Sequence, residues 1–160
     1  MTEKEFTKWI KWQDRHLVKR LDLPGVYAIA VTDIDLTNKT FNLTQDIKYF
    51  GMTNSKSGLK GRLRQFDNTI KGKRGHGGAD RFRFKYPNYN NLIKKLFVSV
   101  VKFDCNVSSN TPKDLEIMGE VSKFEYVCFA NYVRRFSNLP EFNDKKNAPK
   151  YSLTFKKSIR

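Results

Sequence analysis

The sequence predicts an α+β fold in which a small, mainly antiparallel sheet of three strands is flanked by helices. Three short runs rich in apolar and β-branched residues, at 25–33, 47–53 and 96–103, have the length and composition of strands. Two longer segments repeat apolar residues at helical spacing: one from Leu59 to Ile70, with Ser55 or Ser57 as the possible N-cap, and one at about 113–137. The order of strand, strand, helix, strand and helix is typical of an α+β domain.

The chain of 160 residues fits a single domain spanning 1–160. Its first part, about 3–21, carries apolar residues at roughly helical spacing and ends before Pro24, which predicts an N-terminal helix. The first strand, GVYAIAVTD, is apolar enough for the centre of the sheet. The polar stretch 34–46 predicts a loop or a hairpin excursion before the second strand, IKYFGMT.

The second strand is followed directly by an amphipathic helix. The next segment, 71–91, is basic and glycine-rich and predicts a loop with at most short structure. Within it, Phe82 and Phe84 could stack on nucleobases, but their alternation equally suits a small strand with both rings in the core. The long helix that follows the third strand has a predicted buried stripe of Ile117, Val121, Phe124, Cys128, Tyr132 and Phe136. The basic tail after Pro140 is predicted to be irregular.

The charge balance indicates a polyanionic partner. Lys and Arg number 31 against 16 Asp and Glu, which gives a net charge of +15. Such an excess favours nucleic acid, with an anionic membrane surface as the weaker alternative. No apolar run approaches the roughly 20 residues of a membrane span, and the N-terminus lacks a signal-peptide core. We therefore expect a cytoplasmic, unsecreted protein, with Cys105 and Cys128 as reduced core thiols rather than zinc ligands.

Two tyrosines are the first candidates for chemistry. Tyr27 and Tyr49 lie in the first two strands, and their phenols can meet on one sheet face if the strands pair, because side chains alternate with period two. Either tyrosine alone is more typical of a core residue. The other candidates are equally weak singly: Arg62 has basic neighbours, and His76 stands in a glycine-rich loop. The last helix offers three glutamates, Glu116, Glu120 and Glu125, and the helical wheel does not select between Glu120 and Glu125.

Taken in order, these residues resemble the GIY-YIG nuclease superfamily over about 24–143. The matching segments are Gly25-Val26-Tyr27, then about twenty residues on Tyr49-Phe50-Gly51-Met52-Thr53, and then a helix with Gly61-Arg62-Leu63-Arg64-Gln65-Phe66. The interval between the two tyrosine motifs is longer than in the shortest members, so 34–46 is an insertion. Residues 1–23 lie outside the motif. The resemblance implies a metal-dependent endonuclease and a catalytic set of Tyr27, Tyr49, Arg62, His76, Glu120 and Asn143.

The resemblance also implies the role of each residue. Glu120 would hold one Mg²⁺ or Mn²⁺, and Arg62 would grip a phosphate oxygen. Tyr27 is the implied general base, although a free phenol has a high pKa of about 10, so that His76 remains open as the base. Tyr49 would orient water or phosphate, and Asn143 would support the site by hydrogen bonding.

Nucleic acid is the expected partner, with DNA favoured over RNA, and there is no expected membrane partner. Its predicted contacts are basic residues of the first helix and the glycine-rich loop, which follow a phosphate backbone: Lys60, Arg64, Lys71, Lys73, Arg74, Arg81, Arg83 and Lys85. Two alternatives stay open: a basic nucleic-acid-binding module without catalysis, and a partner-binding protein that kept the fold and lost the activity. Substrate specificity and oligomeric state are not readable from the sequence.

Overall fold

A four-stranded antiparallel sheet forms the centre of the computed structural model, which describes residues 3–152. Its strands are β1 (Ile10–Lys11), β2 (Gly25–Val31), β3 (Ile47–Thr53) and β4 (Leu96–Lys102). They lie in the order β1-β4-β2-β3, and each neighbouring pair is antiparallel. The predicted α+β class is confirmed. The predicted count of three strands is wrong, because a short N-terminal strand adds to the edge of β4.

Helices cover both faces of this sheet. They are α1 (Gly58–Lys71), α2 (Gly77–Lys85), α3 (Tyr89–Ile93) and α4 (Pro112–Phe136). One core cluster contains the buried residues of α1 and α2 together with one face of β2. The other cluster contains the buried residues of α4 and the opposite face of β2. Because β2 is covered on both sides, all seven of its residues are buried, which explains its uninterrupted apolar sequence.

The register of the sheet places the two candidate tyrosines on one face. Tyr27 of β2 lies opposite Gly51 of β3, and Ile29 lies opposite Tyr49. Tyr27 and Tyr49 are therefore diagonal neighbours across two strands, as the alternation of side chains predicts. The insertion at 34–46 forms a loop without strands between β2 and β3.

The predicted N-terminal helix at about 3–21 is wrong. The chain runs extended along β4, where the backbone N–H of Thr7 donates to Val100 over 2.9 Å, before β1 and a short 3₁₀ helix, Trp12–Leu17. Trp9 and Trp12 are both buried, and they belong to the two different core clusters. The segment covers an edge of the sheet that would otherwise present unpaired backbone groups, which outweighs its helical spacing.

The predicted loop at 71–91 contains α2 and α3 instead. Each helix begins at a side chain that accepts a backbone N–H: His76 accepts from Ala79, and Asn88 accepts from Asn91. Phe82 is completely buried whereas Phe84 is 39% exposed, so the core interpretation is confirmed for Phe82 and wrong for Phe84. Both residues lie in α2, so the suggestion of a small strand is wrong. The sequence predicted a loop here because the segment begins with several glycines, which are unfavourable in a helix and obscured the signal of α2.

The C-terminal tail is less irregular than predicted. After α4, a second 3₁₀ helix, Glu141–Asn143, packs its buried Phe142 against Phe82 with the ring centroids 4.2 Å apart. Residues 153–160 of the basic tail lie outside the described residues. Within residues 3–152, no helix is both long and apolar enough to cross a bilayer.

A buried carboxylate, Asp67 of α1, ties the N-terminal segment to the rest of the fold. It accepts hydrogen bonds from the Trp12 indole over 2.8 Å and from the Tyr89 hydroxyl over 2.9 Å. It also pairs with Lys71 at 2.7 Å and with Arg15 at 3.4 Å. Burial opposes ionisation of this carboxyl, but the hydrogen bonds from Lys71, Trp12 and Tyr89 outweigh it and lower its pKa.

We expect Asp67→Ala to reduce the free energy of unfolding by about 2–3 kcal/mol, because it leaves the buried indole N–H of Trp12 without an acceptor. Asp67→Asn keeps an acceptor oxygen and should lose less. The exposed Asp22, which pairs with Arg20 at 3.6 Å, provides the control, and Asp22→Ala should cost less than about 1 kcal/mol. Urea unfolding measures all three variants, and equal losses for Asp67→Ala and Asp22→Ala would contradict the role of Asp67.

Candidate active site

Three of the predicted catalytic side chains meet on the face of the sheet covered by α1 and α2. The Tyr27 hydroxyl lies 2.7 Å from Nε2 of His76. The Tyr49 ring centroid is 6.0 Å from that of Tyr27 and 5.7 Å from that of His76. Residues 49 positions apart in sequence are thus brought into direct contact by the β2–β3 pairing and by α2.

Two glycines make room for the tyrosine rings. A Cβ atom at Gly51 would lie 2.4 Å from the Tyr27 ring, and one at Gly78 would lie 2.5 Å from the Tyr49 ring. Neither distance is compatible with a real side chain. Gly51 belongs to the motif identified in the sequence, whereas the need for glycine at position 78 depends on how α2 docks and has no sequence signal.

The protonation state of His76 follows from its two hydrogen bonds. Its Nδ1 accepts the backbone N–H of Ala79 over 3.1 Å, so this nitrogen carries no proton. The neutral ring therefore has its proton on Nε2 and donates to the Tyr27 hydroxyl oxygen. Burial, together with the positive charge of Arg62, lowers the pKa of His76 to about 3. His76 is thus a neutral hydrogen-bond donor toward Tyr27 at physiological pH.

Tyr27 retains its phenolic proton in this arrangement. Its side chain is completely buried, and burial and the neighbouring Tyr49 raise its pKa well above the ordinary value against the opposing charge of Arg62. Its oxygen accepts from His76, so its own hydroxyl proton remains available for another acceptor. Of the two bases left open above, His76 offers Tyr27 a proton and no lone pair, because its Nδ1 accepts from Ala79 and its Nε2 carries the proton. In this state His76 cannot take the phenolic proton of Tyr27.

Arg62 lies beside these rings and faces a cationic groove. Its Nη1 donates to the Gln65 side chain over 2.5 Å, and its Nε is a buried donor without a hydrogen-bond partner within residues 3–152. The groove has a volume of about 590 Å³ and also contains Arg64, Lys73 and Arg74, with no carboxylate in its lining. A buried, unpartnered guanidinium donor next to further cations is suited to an anionic oxygen.

The structure does not bring Glu120 into this cluster. Glu120 is exposed on α4, whereas Glu125 is half-buried and lies in a second groove with Tyr49 and Phe50. Five residues rotate a helix by roughly 140°, so the two glutamates occupy different faces of α4. Burial raises the pKa of Glu125 to about 7, against the charges of Arg62 and Lys145. Glu125, and not Glu120, is therefore the glutamate of α4 that lines a groove together with Tyr49.

Asn143 holds the edge of β3 rather than reaching the rings. Its side-chain oxygen accepts the backbone N–H of Phe50 over 2.9 Å, and its amide nitrogen donates to the Phe50 carbonyl over 2.8 Å. This amide satisfies the two backbone groups that a further strand would otherwise pair. The expectation of a supporting hydrogen-bond role agrees with this position.

The predicted nucleic-acid-binding cations fall into two groups. Arg81 is buried and donates to the carbonyls of Gly77 and Ala148, so its predicted contact with nucleic acid is wrong. The side chains of Lys71, Arg83 and Lys85 are exposed or half-buried and contact Asp67, Tyr151 and Glu141 respectively. No ion pair within residues 3–152 engages the other four, which are Lys60, Arg64, Lys73 and Arg74.

The metal-ligating side chains near the site are few, and this limits the kind of metal ion that they could hold. No group of three or more His, Cys, Asp and Glu lies together in the described part of the chain, which does not suit a closed all-protein site. The Glu125 carboxylate borders an open groove, and the other carboxylate of that groove, Asp144, accepts hydrogen bonds from Lys146 and Asn147. That donor set fits a hard cation such as Mg²⁺, which keeps several of its waters.

Comparisons of the chain with known protein families, with curated proteins and with solved structures find no match. The likeness to the GIY-YIG nucleases therefore depends on the residues named above and on their arrangement.

We expect nitrogen NMR to detect His76 as a neutral ring protonated on Nε2 at pH 5, because its pKa is lowered to about 3 and its Nδ1 is already an acceptor. The exposed His16 gives the second histidine signal in the same spectrum. Tyr27→Phe should shift the Nε2 resonance and leave the tautomer unchanged. An imidazolium at pH 5, or a proton on Nδ1, would show that the arrangement is wrong.

Proposed function

We propose that this protein is a metal-dependent endonuclease that hydrolyses phosphodiester bonds, with DNA as its favoured substrate. The observation that carries the proposal is the convergence, at the edge of β3, of two neutral phenols, a half-buried carboxylate and a guanidinium whose Nε has no hydrogen-bond partner within residues 3–152. Phosphodiester hydrolysis needs neutralisation of phosphate charge, a proton donor or acceptor and stabilisation of the leaving oxygen. These groups provide each of those capacities.

Arg62 would bind the scissile phosphate. Its Nε lacks a hydrogen-bond partner within residues 3–152, and its planar guanidinium can donate in parallel to two phosphate oxygens. Because the surroundings are largely buried, the charge of Arg62 acts at low local dielectric and is worth more there than in water. Burial and the same Arg62 charge both lower the pKa of His76, which keeps the imidazole neutral.

Glu125 would hold the metal ion. An Mg²⁺ or Mn²⁺ bound there would polarise the phosphate and offset the charge on the leaving oxygen. A metal ion held by Glu125 would lie in the same groove as Tyr49. Burial is the main cause that raises the pKa values of both tyrosines, and the nearby charge of Glu125 adds to it.

Tyr27 would act as a proton donor with the support of a hydrogen bond from His76. His76 donates from Nε2 to the Tyr27 oxygen and so stabilises any negative charge that develops there. Because Tyr27 is completely buried, its own proton would reach a substrate oxygen through the neighbouring Tyr49, which lines the groove with Glu125 and would orient that oxygen. If the Tyr27 phenol were to act as a base, it would first have to lose this proton to solvent.

The free cations would bind the nucleic-acid backbone. Arg64, Lys73 and Arg74 line the groove that Arg62 faces, and Lys60 is exposed on the same helix as Arg64. Four cations without ion pairs in the described residues can each contact a phosphate and release counterions. Such contacts position a backbone without selecting a sequence.

We expect the purified protein to nick supercoiled plasmid in Mg²⁺ or Mn²⁺ and not in EDTA. Glu125→Gln should lower the rate about 100-fold or more, because it removes the proposed metal ligand while keeping the side-chain volume. Glu120→Gln is the matched control on the same helix and should leave the rate near that of the wild type. A loss with Glu120→Gln alone would restore the assignment made from the resemblance.

Plasmid that is retarded but uncut by the wild type in every metal would instead favour the non-catalytic binding module. In that case the four cations would still account for binding, and the cluster at β3 would have no part in it.

At low Mg²⁺, the cleavage rate should increase about tenfold for each unit by which the pH is raised toward 7, and it should level off above pH 7. The pKa of Glu125 is raised to about 7 by burial, and only its ionised form can hold the cation. Because metal competes with the proton, the midpoint should move to lower pH as the Mg²⁺ concentration increases. Initial rates between about pH 5.5 and 8.5 test this, and a midpoint that is independent of metal concentration would contradict it.

A further inference from the structure

A second groove opens on the α4 side of the candidate active site. It has a volume of about 850 Å³ and shares Tyr49, Phe50 and Glu125 with the site already described. Its other wall is the C-terminal half of α4, where Tyr126 and Val133 are exposed. The cationic groove at Arg62 and this groove, which we name the α4 groove, both border β3, at residues 52–53 and 49–50 respectively.

Three aromatic rings, those of Tyr126, Phe129 and Phe50, contact one another in sequence from this groove to the core. Tyr126 is 71% exposed, yet its ring is fixed edge-on against Phe129, with the centroids 6.0 Å apart and the planes at 90°. Phe129 in turn packs on Phe50, with the centroids 6.2 Å apart. An aromatic ring of this kind offers a large flat surface at low cost in side-chain entropy.

The rim of the groove is polar and basic. Asn138 and Asn147 provide amide groups, and Lys145 and Lys146 provide positive charge. The one additional carboxylate, Asp144, accepts hydrogen bonds from the backbone of Lys146 and from both the backbone and the side chain of Asn147. An occupant with flat apolar faces, polar edges and attached negative charge matches this combination.

We propose that the α4 groove binds an unstacked nucleobase next to the scissile phosphate, with Tyr126 as its stacking platform, so that the substrate carries a single-stranded stretch at the cleavage site. The inference builds on the proposed nuclease function and names its substrate class. In a continuous duplex the bases are stacked on each other and paired, so none can lie on Tyr126. A gap, a flap or a loop leaves a base free to do so.

A second copy of this chain is the chief rival occupant, because Tyr126, Val133 and Leu139 are exposed apolar side chains. Charge weighs against it. Each copy carries a net charge of +15, so two copies repel each other, while a strand of nucleic acid is attracted. Lys145 and Lys146 at the rim would face the partner in either case and favour the polyanion.

The test measures binding in EDTA, so that affinity is read without cleavage. Fluorescence anisotropy compares a labelled single strand of mixed sequence, the same strand in a blunt duplex, and a duplex with a flap. Tyr126→Ala should weaken binding of the single strand and of the flap about tenfold and leave the blunt duplex unchanged, because stacking on one aromatic ring is lost. Tyr126→Phe should bind like the wild type, and Tyr126→Leu should bind like Tyr126→Ala.

Leu115→Ala provides the matched control, since Leu115 is 49% exposed on the same helix and lies outside the groove. It should not alter any of the three affinities. Equal affinity of wild type and Tyr126→Ala for the single strand would overturn the inference, as would an equal loss for the blunt duplex. Sedimentation velocity tests the rival occupant by measuring the oligomeric state. A wild-type dimer that Tyr126→Ala converts to a monomer would assign the groove to a second copy and overturn the inference.

Failure of this inference differs from failure of the proposed function. A protein that nicks plasmid through Glu125 but ignores Tyr126 would remain a nuclease without this subsite. A protein that cuts nothing yet prefers single strands through Tyr126 would retain the subsite without the activity.

Discussion

Three hydrogen bonds of one residue, His76, fix the geometry on which the candidate site depends. Its backbone N–H donates to Thr69 of α1 over 3.1 Å, its Nδ1 caps the first turn of α2, and its Nε2 donates to Tyr27 of β2. Two helices and the central strand are therefore connected through a single buried side chain. Since each ring nitrogen has a partner, the tautomer is set by the fold, and any change in α2 would alter the phenol that His76 contacts.

Burial gives this site its electrostatic character. The pKa values of Tyr27 and Tyr49 are raised and that of His76 is lowered, in each case mainly because burial disfavours the charged form. Three groups that could carry charge are thus neutral, and Arg62 and the buried Arg81 are the cations that act on them. An anion entering beside Arg62 meets a positive charge together with proton-bearing groups, at little further cost of reorganisation.

The sequence predicted the parts of this arrangement that depend on local periodicity. The alternation of β2 and β3 correctly placed Tyr27 and Tyr49 on one face, because strand register follows from a two-residue repeat. The helical wheel of α4 could not distinguish Glu120 from Glu125, because both residues border its apolar stripe. Only the docking of the helix determines which of the two faces β3. Likewise, the helical spacing of the first residues was outweighed by the burial of Trp9 and Trp12 along β4, a contact between distant parts of the chain.

The position of the site at the edge of β3 accounts for its composition. A central strand separates the two helix layers, so side chains from one layer cannot reach those of the other across it. At the free edge of the sheet, side chains from both layers can come together. At β3, Tyr49 comes from the α1 and α2 layer, and Glu125 comes from the α4 layer on the opposite face. Such an edge is also open to unwanted strand pairing. The Asn143 amide closes it at Phe50 with one side chain, which leaves the neighbouring surface accessible as two grooves instead of covering it with a fifth strand.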